Sequence, residues 1–389
     1  MINVLFCGDY APVGSHQDKI RKGKNVLSDV KDIVSKNDVS FVNLEVPLTD
    51  STDAIIKNGP NLKCSSECIK PLRDIGISVV GLANNHVMDF GASGLKDTQE
   101  VCLKANIDTV GAGEDLKSAR KIFYKKVKNK IIAIIAVAEY EFSIASDSQP
   151  GVAPLDHVSI FYQIEEAKKN ADIILLTIHA GNEHFPLPRP RLRDTCKFFI
   201  DLGVDAVINH HTHIPSAYEF YKGKPIIYGL GNFLFESEQN HEGWNEGYMA
   251  SLSFDLESGN FSKLDLIPYV QSIDSISLKL MDGKDKEIFE KKISSLNMIL
   301  SNENKYKKSW DEFCEINSSG YMLNTFFPFS FRGIGLLNRM LKLSKIILNK
   351  KTIPVKVNMI ECESHREAIL NILKRKLNTD SAVKGDQNG

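Results

Sequence analysis

No window of the sequence reaches the ~18 uninterrupted apolar residues that a membrane-crossing helix requires, so no transmembrane helix is expected. The opening residues, Met1-Ile2-Asn3-Val4-Leu5-Phe6-Cys7-Gly8-Asp9, carry no basic segment and reach an acid too soon for a secretory signal. Charge of one sign is also lacking. The balance of 48 Lys+Arg against 49 Asp+Glu leaves a formal net charge of -1. That argues against a general polyanion-binding surface and predicts no nucleic-acid partner. The seven cysteines, Cys7, Cys64, Cys68, Cys102, Cys196, Cys314 and Cys362, form no regular framework, and no second pair joins Cys64 and Cys68 in a zinc ribbon. Reduced thiols are therefore expected, with the cytoplasm as the compartment. Gly111-Ala112-Gly113 is too short for a dinucleotide fingerprint and reads as a turn. What is present is ordinary for a soluble globular protein: 389 residues, 42% hydrophobic and 25% charged, enough for a sizeable core.

The most informative stretch is Asp205-Ala206-Val207-Ile208-Asn209-His210-His211-Thr212-His213, a short apolar run that ends in three histidines. His211 and His213 are two apart, so on an extended segment their side chains point the same way and can share a metal or serve a metal pair. A histidine-rich surface turn is the alternative.

The same pattern recurs along the chain. The opening strand ends at Gly8-Asp9, where Asp9 reads either as a ligand carboxylate at a strand exit or as a turn cap. His16 follows in a polar loop and reads either as a ligand or, more simply, as a solvated histidine. After an amphipathic helix expected over residues 25–36, the strand at 39–44 ends on Glu45. A third strand, over 77–82, delivers Ala83-Asn84-Asn85-His86, with Asp89 three residues further on. An Asn oxygen can ligate a metal, an adjacent His can donate a proton, and Asp89 can orient that imidazole. A fourth strand, over 172–178, exits on His179. Arg189, Arg191 and Arg193 lie nearby in sequence and suit phosphate and carboxylate alike.

Helices are expected over 66–75, 94–105, 158–170 and 190–202, and hairpins over 122–137 and 216–228. Strands near 247–255 and 261–270 complete an α/β (α+β) arrangement, a sandwich of mixed β-sheets flanked by helices. Asp9, Glu45, Asn85, His179, His211 and His213 would gather at the strand exits, a mixed oxygen and nitrogen set large enough for two metals.

Beyond about 275 the character changes. The expected organisation is a main domain over 1–273, a mostly helical extension over 274–377 and a disordered tail over 378–389. Residues 326–351 mix apolar residues with Arg332, Arg339, Lys342, Lys345, Lys350 and Lys351. Such a segment either packs as a helix on the main domain or makes a peripheral membrane contact.

With these residues in place the chain resembles the CapA family of capsule and poly-γ-glutamate biosynthesis proteins, which has a calcineurin-like metallophosphoesterase fold. The resemblance covers roughly residues 2–270. It rests on Gly8-Asp9, Asn43-Leu44-Glu45, Ala83-Asn84-Asn85-His86 with Asp89-Phe90-Gly91, His179 with Gly181 and Glu183, His210-His211-Thr212-His213, and Tyr228-Gly229-Leu230-Gly231-Asn232-Phe233.

It implies two divalent metal ions, Mn, Fe or Zn, in one site. Asp9 and His213 would serve the first metal and His179 and His211 the second, with Glu45 and Asn85 at or between them. His86, held by Asp89, would act as proton donor outside the metal shell. The chain departs from the family pattern at Ala180, Asn209 and Thr212. The implied function is metal-dependent hydrolysis of an amide or phosphoester, with an anionic polymer or its precursor as substrate. The alternatives are an accessory or scaffold subunit of a capsule synthase complex and a small-molecule phosphoesterase.

Overall fold

The apolar runs become strands buried on both faces, as parallel strands between two layers must be. The computed structural model describes residues 1–57, 59–236, 241–271, 278–326 and 334–342. The chain divides into two units, residues 1–307 and 308–389.

In the first unit the strands are β1 (Ile2–Ala11), β2 (Val39–Leu44), β3 (Val79–Gly81), β4 (Asp108–Val110), β5 (Ala112–Gly113), β6 (Phe123–Val127), β7 (Lys130–Ala138), β8 (Gly151–Val152), β9 (Ile173–His179), β10 (Ala206–His210), β11 (Tyr218–Tyr221), β12 (Lys224–Ile227), β13 (Asn232–Phe235), β14 (Glu246–Phe254), β15 (Phe261–Gln271) and β16 (Leu278–Leu280). Among the described residues, one sheet has the order β16-β15-β14-β1-β2-β3-β4, and β13 also pairs with β1. The second has the order β11-β12-β10-β9-β7-β6, and β5 pairs with β8 in a small ribbon. Phe6, Phe41 and Val42 of the first sheet share one apolar core with Ile132, Ile134, Leu175 and Ile208 of the second. Helices His157–Asn170 and Pro190–Asp201 contact the second sheet, the former at β7 and β9 and the latter at β10 and β12.

Strand direction positions the site. β1, β2, β3 and β4 run parallel, as do β7, β9, β10 and β12, so each group sends its C-terminal ends the same way. Asp9 is the register partner of Asn43 on β2 and of Asn232 on β13, and His179 is the partner of His210. The ladder between β1 and β2 slips by one residue between Cys7 and Asp9, a bulge of the kind that re-aims side chains beside active sites. Gly8 permits it: a Cβ there would lie 1.9 Å from the Gly231 carbonyl oxygen, and that carbonyl accepts the Asp9 amide at 3.1 Å.

Several expectations need correction. The segment over 25–36 is not one helix. It holds only the short turns Ser28–Val30 and Lys31–Val34. Val26, Leu27, Val30 and Val34 are all buried, and the Val26 carbonyl accepts the Leu278 amide, which draws this backbone into contact with β16 instead of its own helix. His16 is not a solvated loop residue. It lies on helix Ser15–Arg21, four residues before Ile20 on the same buried face, and is 1% exposed.

The expected domain break at 273 falls inside the first unit. β16 pairs with β15 there, and helix Gly283–Ser301 adds Phe289 and Ile293 to the core. In the second unit the described residues are helical up to 326 and again over Ile334–Leu341. The expected tail over 378–389 and most of the basic segment lie outside the described residues. Among the described residues no helix is long and apolar enough to cross a membrane.

Candidate metal centre

Asp9 leaves β1 buried and tied on both oxygens. Asn43 Nδ2 donates to its Oδ1 at 2.8 Å, and the His211 backbone amide donates to its Oδ2 at 3.2 Å. His213 Nδ1 lies 3.6 Å from Oδ2 and His210 Nδ1 lies 3.2 Å from Oδ1. Burial pushes the Asp9 carboxyl up, but His210 and His213 outweigh it and, with Asn43, hold it below the usual carboxylate range.

Glu45 follows β2 and is 0% exposed. Among the described residues its two oxygens have no hydrogen-bond partner, although His179 Nε2 and His213 Nε2 stand 3.4 Å and 3.7 Å from Oε1. Burial pushes its carboxyl well above the ordinary range, and the charges of Asp9, Glu183 and Glu141 add to the effect. A carboxylate so buried and unpaired demands a cation or a proton.

The remaining expected ligands converge on Glu45. His179, at the end of β9, places Nε2 3.1 Å from Asn85 Oδ1. Burial, followed by the neighbouring histidines, holds the His179 imidazole well below its usual range, and burial pushes His213 down to about 4. Both rings are therefore neutral at pH 7, the state a metal ligand needs. Donor atoms of Glu45, His179 and His211 lie within 4.8 Å of one another, and so do those of Asp9, Glu45 and His213. The two sets share Glu45. Mixed carboxylate and imidazole sets of this kind suit Zn, Fe or Mn. The residues present therefore fit a pair of divalent ions.

His211 and His213 do not sit on an extended segment, as their spacing alone implied. β10 ends at His210, and the backbone is left-handed at both residues, with φ of 89° at His211 and 59° at His213. Each such conformation in a non-glycine residue costs on the order of 1–3 kcal/mol. The turn nevertheless brings the two rings to 6.1 Å. Thr212 stabilises it by donating its hydroxyl to the Ile214 carbonyl at 2.9 Å, and Asn209 Nδ2 donates to the Ile227 carbonyl at 2.9 Å. Of the two residues, Thr212 thus closes a local bond within the turn and Asn209 ties β10 to β12.

His86 and Asp89 meet as expected, with Nδ1 of the ring 2.7 Å from Asp89 Oδ2. Asn84 Oδ1 accepts the backbone amides of His86 and Val87 at 3.2 and 2.9 Å, which shapes this turn. Lys57 was not expected. Its side chain is 3% exposed, pairs with Asp89 and lies 3.1 Å from His86 Nδ1. Nothing in the periodicity of its loop announces it.

Glu139 and Glu141, just past β7, were also missed, because that strand was read only as half of a hairpin. His211 Nε2 lies 3.6 Å from Glu141 Oε1 and 4.0 Å from Glu139 Oε1. The strand-exit rule that picked out His179 applied equally there. Glu183 joins His211 and His213 in a further set of neighbouring donors. The arginines after His179 are largely consumed within the protein. Arg189 pairs with Glu139 at 2.6 Å, and Arg193 bridges Glu219 and Glu303.

"PGA biosynthesis protein CapA" of Bacillus subtilis (strain 168) is 32% identical over 280 residues, which cover 69% of this chain and 71% of that protein. "Capsule biosynthesis protein CapA" of Bacillus anthracis is 33% identical over 235 residues, 59% of this chain and 54% of that protein. Among solved structures, the calcineurin-like phosphoesterase YfkN from Bacillus subtilis is similar at a TM-score of 0.42 and 13% identity, covering 80% of this chain and 98% of that one. The sequence profile of the bacterial capsule synthesis proteins PGA_cap matches residues 3–237, the span that carries every residue of the centre, and the chain belongs to that family.

Proposed function

We propose that the protein is a metal-dependent hydrolase of capsule or poly-γ-glutamate biosynthesis, cleaving an amide or phosphoester in an anionic cell-surface polymer or its precursor. The observation that carries this reading is Glu45, a fully buried carboxylate with both oxygens unpartnered among the described residues, shared by two sets of neighbouring donors. Asp9, Glu45 and His213 would hold one divalent ion, and Glu45, Asn85, His179 and His211 the other. When bound, such a pair supplies an activated water near neutral pH and neutralises charge on the group attacked.

The chain's own residues do the rest. Asp89 holds His86 through Nδ1, so in the imidazolium form the proton given to a leaving group would come from Nε2. Lys57 fixes the Asp89 carboxylate from the side of the loop before residue 58. The Asn84 amide, donating to the Leu44 carbonyl at 2.8 Å, ties the His86 turn to the strand that delivers Glu45. Donor and ligand are thereby placed on one framework.

The test is elemental analysis of the purified wild type beside His211→Ala/His213→Ala, followed by hydrolysis assays on amide and phosphoester substrates. About two equivalents of Mn, Fe or Zn are expected in the wild type and fewer in the double variant. A wild type that carries no metal and takes up none on titration overturns the hydrolase reading and leaves an accessory role in a synthase complex.

A further inference from the structure

The two halves of the centre are not equally prepared for a cation. We propose that Asn232 is the positioning residue that fixes which nitrogen His213 offers, and that it makes the Asp9–Glu45–His213 position the tighter of the two. The inference rests on the dinuclear reading above and concerns residues that reading leaves without a role.

Asn232 is the first residue of β13 and the register partner of Asp9, so the pairing that anchors Asp9 anchors Asn232 beside it. Its side chain is wholly buried. Nδ2 donates to the Trp244 carbonyl at 3.2 Å, which turns Oδ1 toward His213 Nδ1 at 3.0 Å. An amide oxygen only accepts, so Nδ1 carries the proton and Nε2 keeps its lone pair. That nitrogen faces Glu45 Oε1 at 3.7 Å.

The amide cannot turn over without setting its oxygen against the Trp244 carbonyl. That carbonyl is itself fixed: it accepts Gln271 Nε2 at 3.0 Å, and the Trp244 indole nitrogen donates to the Phe235 carbonyl at 2.7 Å. The indole also lies against His213, ring to ring at 4.9 Å. His213 is thus held in the tautomer that ligates through Nε2, the usual task of an orienting partner behind a metal-bound imidazole.

His179 is held the other way. Asn43 Nδ2 donates to Asp9 Oδ1, and its Oδ1 accepts Asn84 Nδ2 at 3.3 Å, so the Asn43 amide presents N–H to His179 Nδ1 at 3.2 Å. Nδ1 is then the acceptor, and the proton sits on Nε2, which points at Asn85 Oδ1 and Glu45 Oε1. For Nε2 of His179 to ligate, that proton must move to Nδ1 against the Asn43 amide. Among the described residues the buried Nδ1 of His211 makes no hydrogen bond, and its Nε2 has only the Glu141 and Glu139 carboxylates at 3.6 and 4.0 Å, beyond hydrogen-bond distance. One position is ready and the other has to rearrange.

The experiment is titration of the EDTA-stripped full chain with Mn²⁺, followed by electron paramagnetic resonance and calorimetry. The wild type is expected to bind in two unequal steps. Asn232→Ala should weaken the stronger step about 10–100-fold and change the weaker one less than about threefold. Asn232→Asp keeps an acceptor at Nδ1 and should recover at least about tenfold of that loss. His211→Ala should spare the stronger step. Thermal melts of each variant check folding, and the aspartate variant keeps the comparison available if the alanine variant does not fold.

Equal steps in the wild type, an unchanged titration in Asn232→Ala, or parallel weakening of both steps overturns the proposal while leaving the dinuclear reading intact. Loss of the stronger step in His211→Ala does the same. A wild type that binds no Mn²⁺ removes both.

Discussion

Replacing Glu45 by Gln removes a charge that the apoprotein holds at a cost and that the metal-loaded protein needs. The Glu45 carboxyl is pushed well above its usual range by burial and by neighbouring acids. A group whose folded pKa is raised contributes stability that is fully present below its unfolded pKa and is lost as pH rises toward the folded value. Each pH unit in that window costs the metal-free protein about 1.4 kcal/mol. For a unit of 307 residues, at ~2.1 cal/mol/K per residue, 1 kcal/mol corresponds to about 1.6 °C in Tm. Metal-free Glu45→Gln should therefore melt above metal-free wild type at pH 7.5, by about 2 °C for each pH unit of the window that is crossed. The gap should close toward pH 4.5, the ordinary glutamate value. With Mn²⁺ at a hundred times its dissociation constant the gap should narrow, because the wild type gains about 2.7 kcal/mol and the variant gains less. Differential scanning calorimetry with EDTA and with Mn²⁺, at pH 5 and pH 7.5, gives all the comparisons. A metal-free variant no more stable than wild type at pH 7.5, together with equal stabilisation of both by Mn²⁺, would refute the reasoning.

Other perturbations follow from the same geometry. His86→Ala should lower kcat about 10²–10⁴-fold while leaving metal content unchanged, with the larger loss on substrates whose leaving group needs a proton; steady-state kinetics on two leaving groups decides. Gly8→Ala should abolish tight Mn²⁺ binding, since the new Cβ would collide with the Gly231 carbonyl and break the strand pairing that sets Asp9 and Asn232; calorimetric titration reads it out. Arg193→Met leaves Glu219 half-buried without its bidentate partner, whose bonds are 2.8 and 2.9 Å, and should destabilise by about 3 kcal/mol in urea unfolding.

Much of the centre was legible because it follows from strand direction. Asp9, Glu45, Asn85, His179, His211 and His213 each stand at or just beyond the exit of an apolar run, and parallel pairing brings such exits to one end of a sheet. His86 and Asp89 were readable as a pair from a three-residue separation in a turn. The failures have a different physical origin. Lys57 belongs to a loop with no periodicity, and its partner Asp89 lies 32 positions away in sequence, so only the folded chain connects them. His16 looked solvated because its neighbours are polar, yet the face it shares with Ile20 turns inward.

The sequence by itself determined where most of the apolar strands run, most of the ends at which chemistry would gather, and the donor types available there. Those properties depend on side-chain period and on backbone direction, which are local. Tertiary structure alone decided which nitrogen each histidine presents, which carboxylate is left unpaired and which cations are already taken. The Asn232 amide can orient His213 only because β13 pairs with β1 and the Trp244 carbonyl stands behind it. The Arg189 guanidinium is bound to Glu139 because loop and strand exit meet in space. Hydrogen-bond direction and burial belong to the assembled surroundings of a residue, and no reading along the chain contains them.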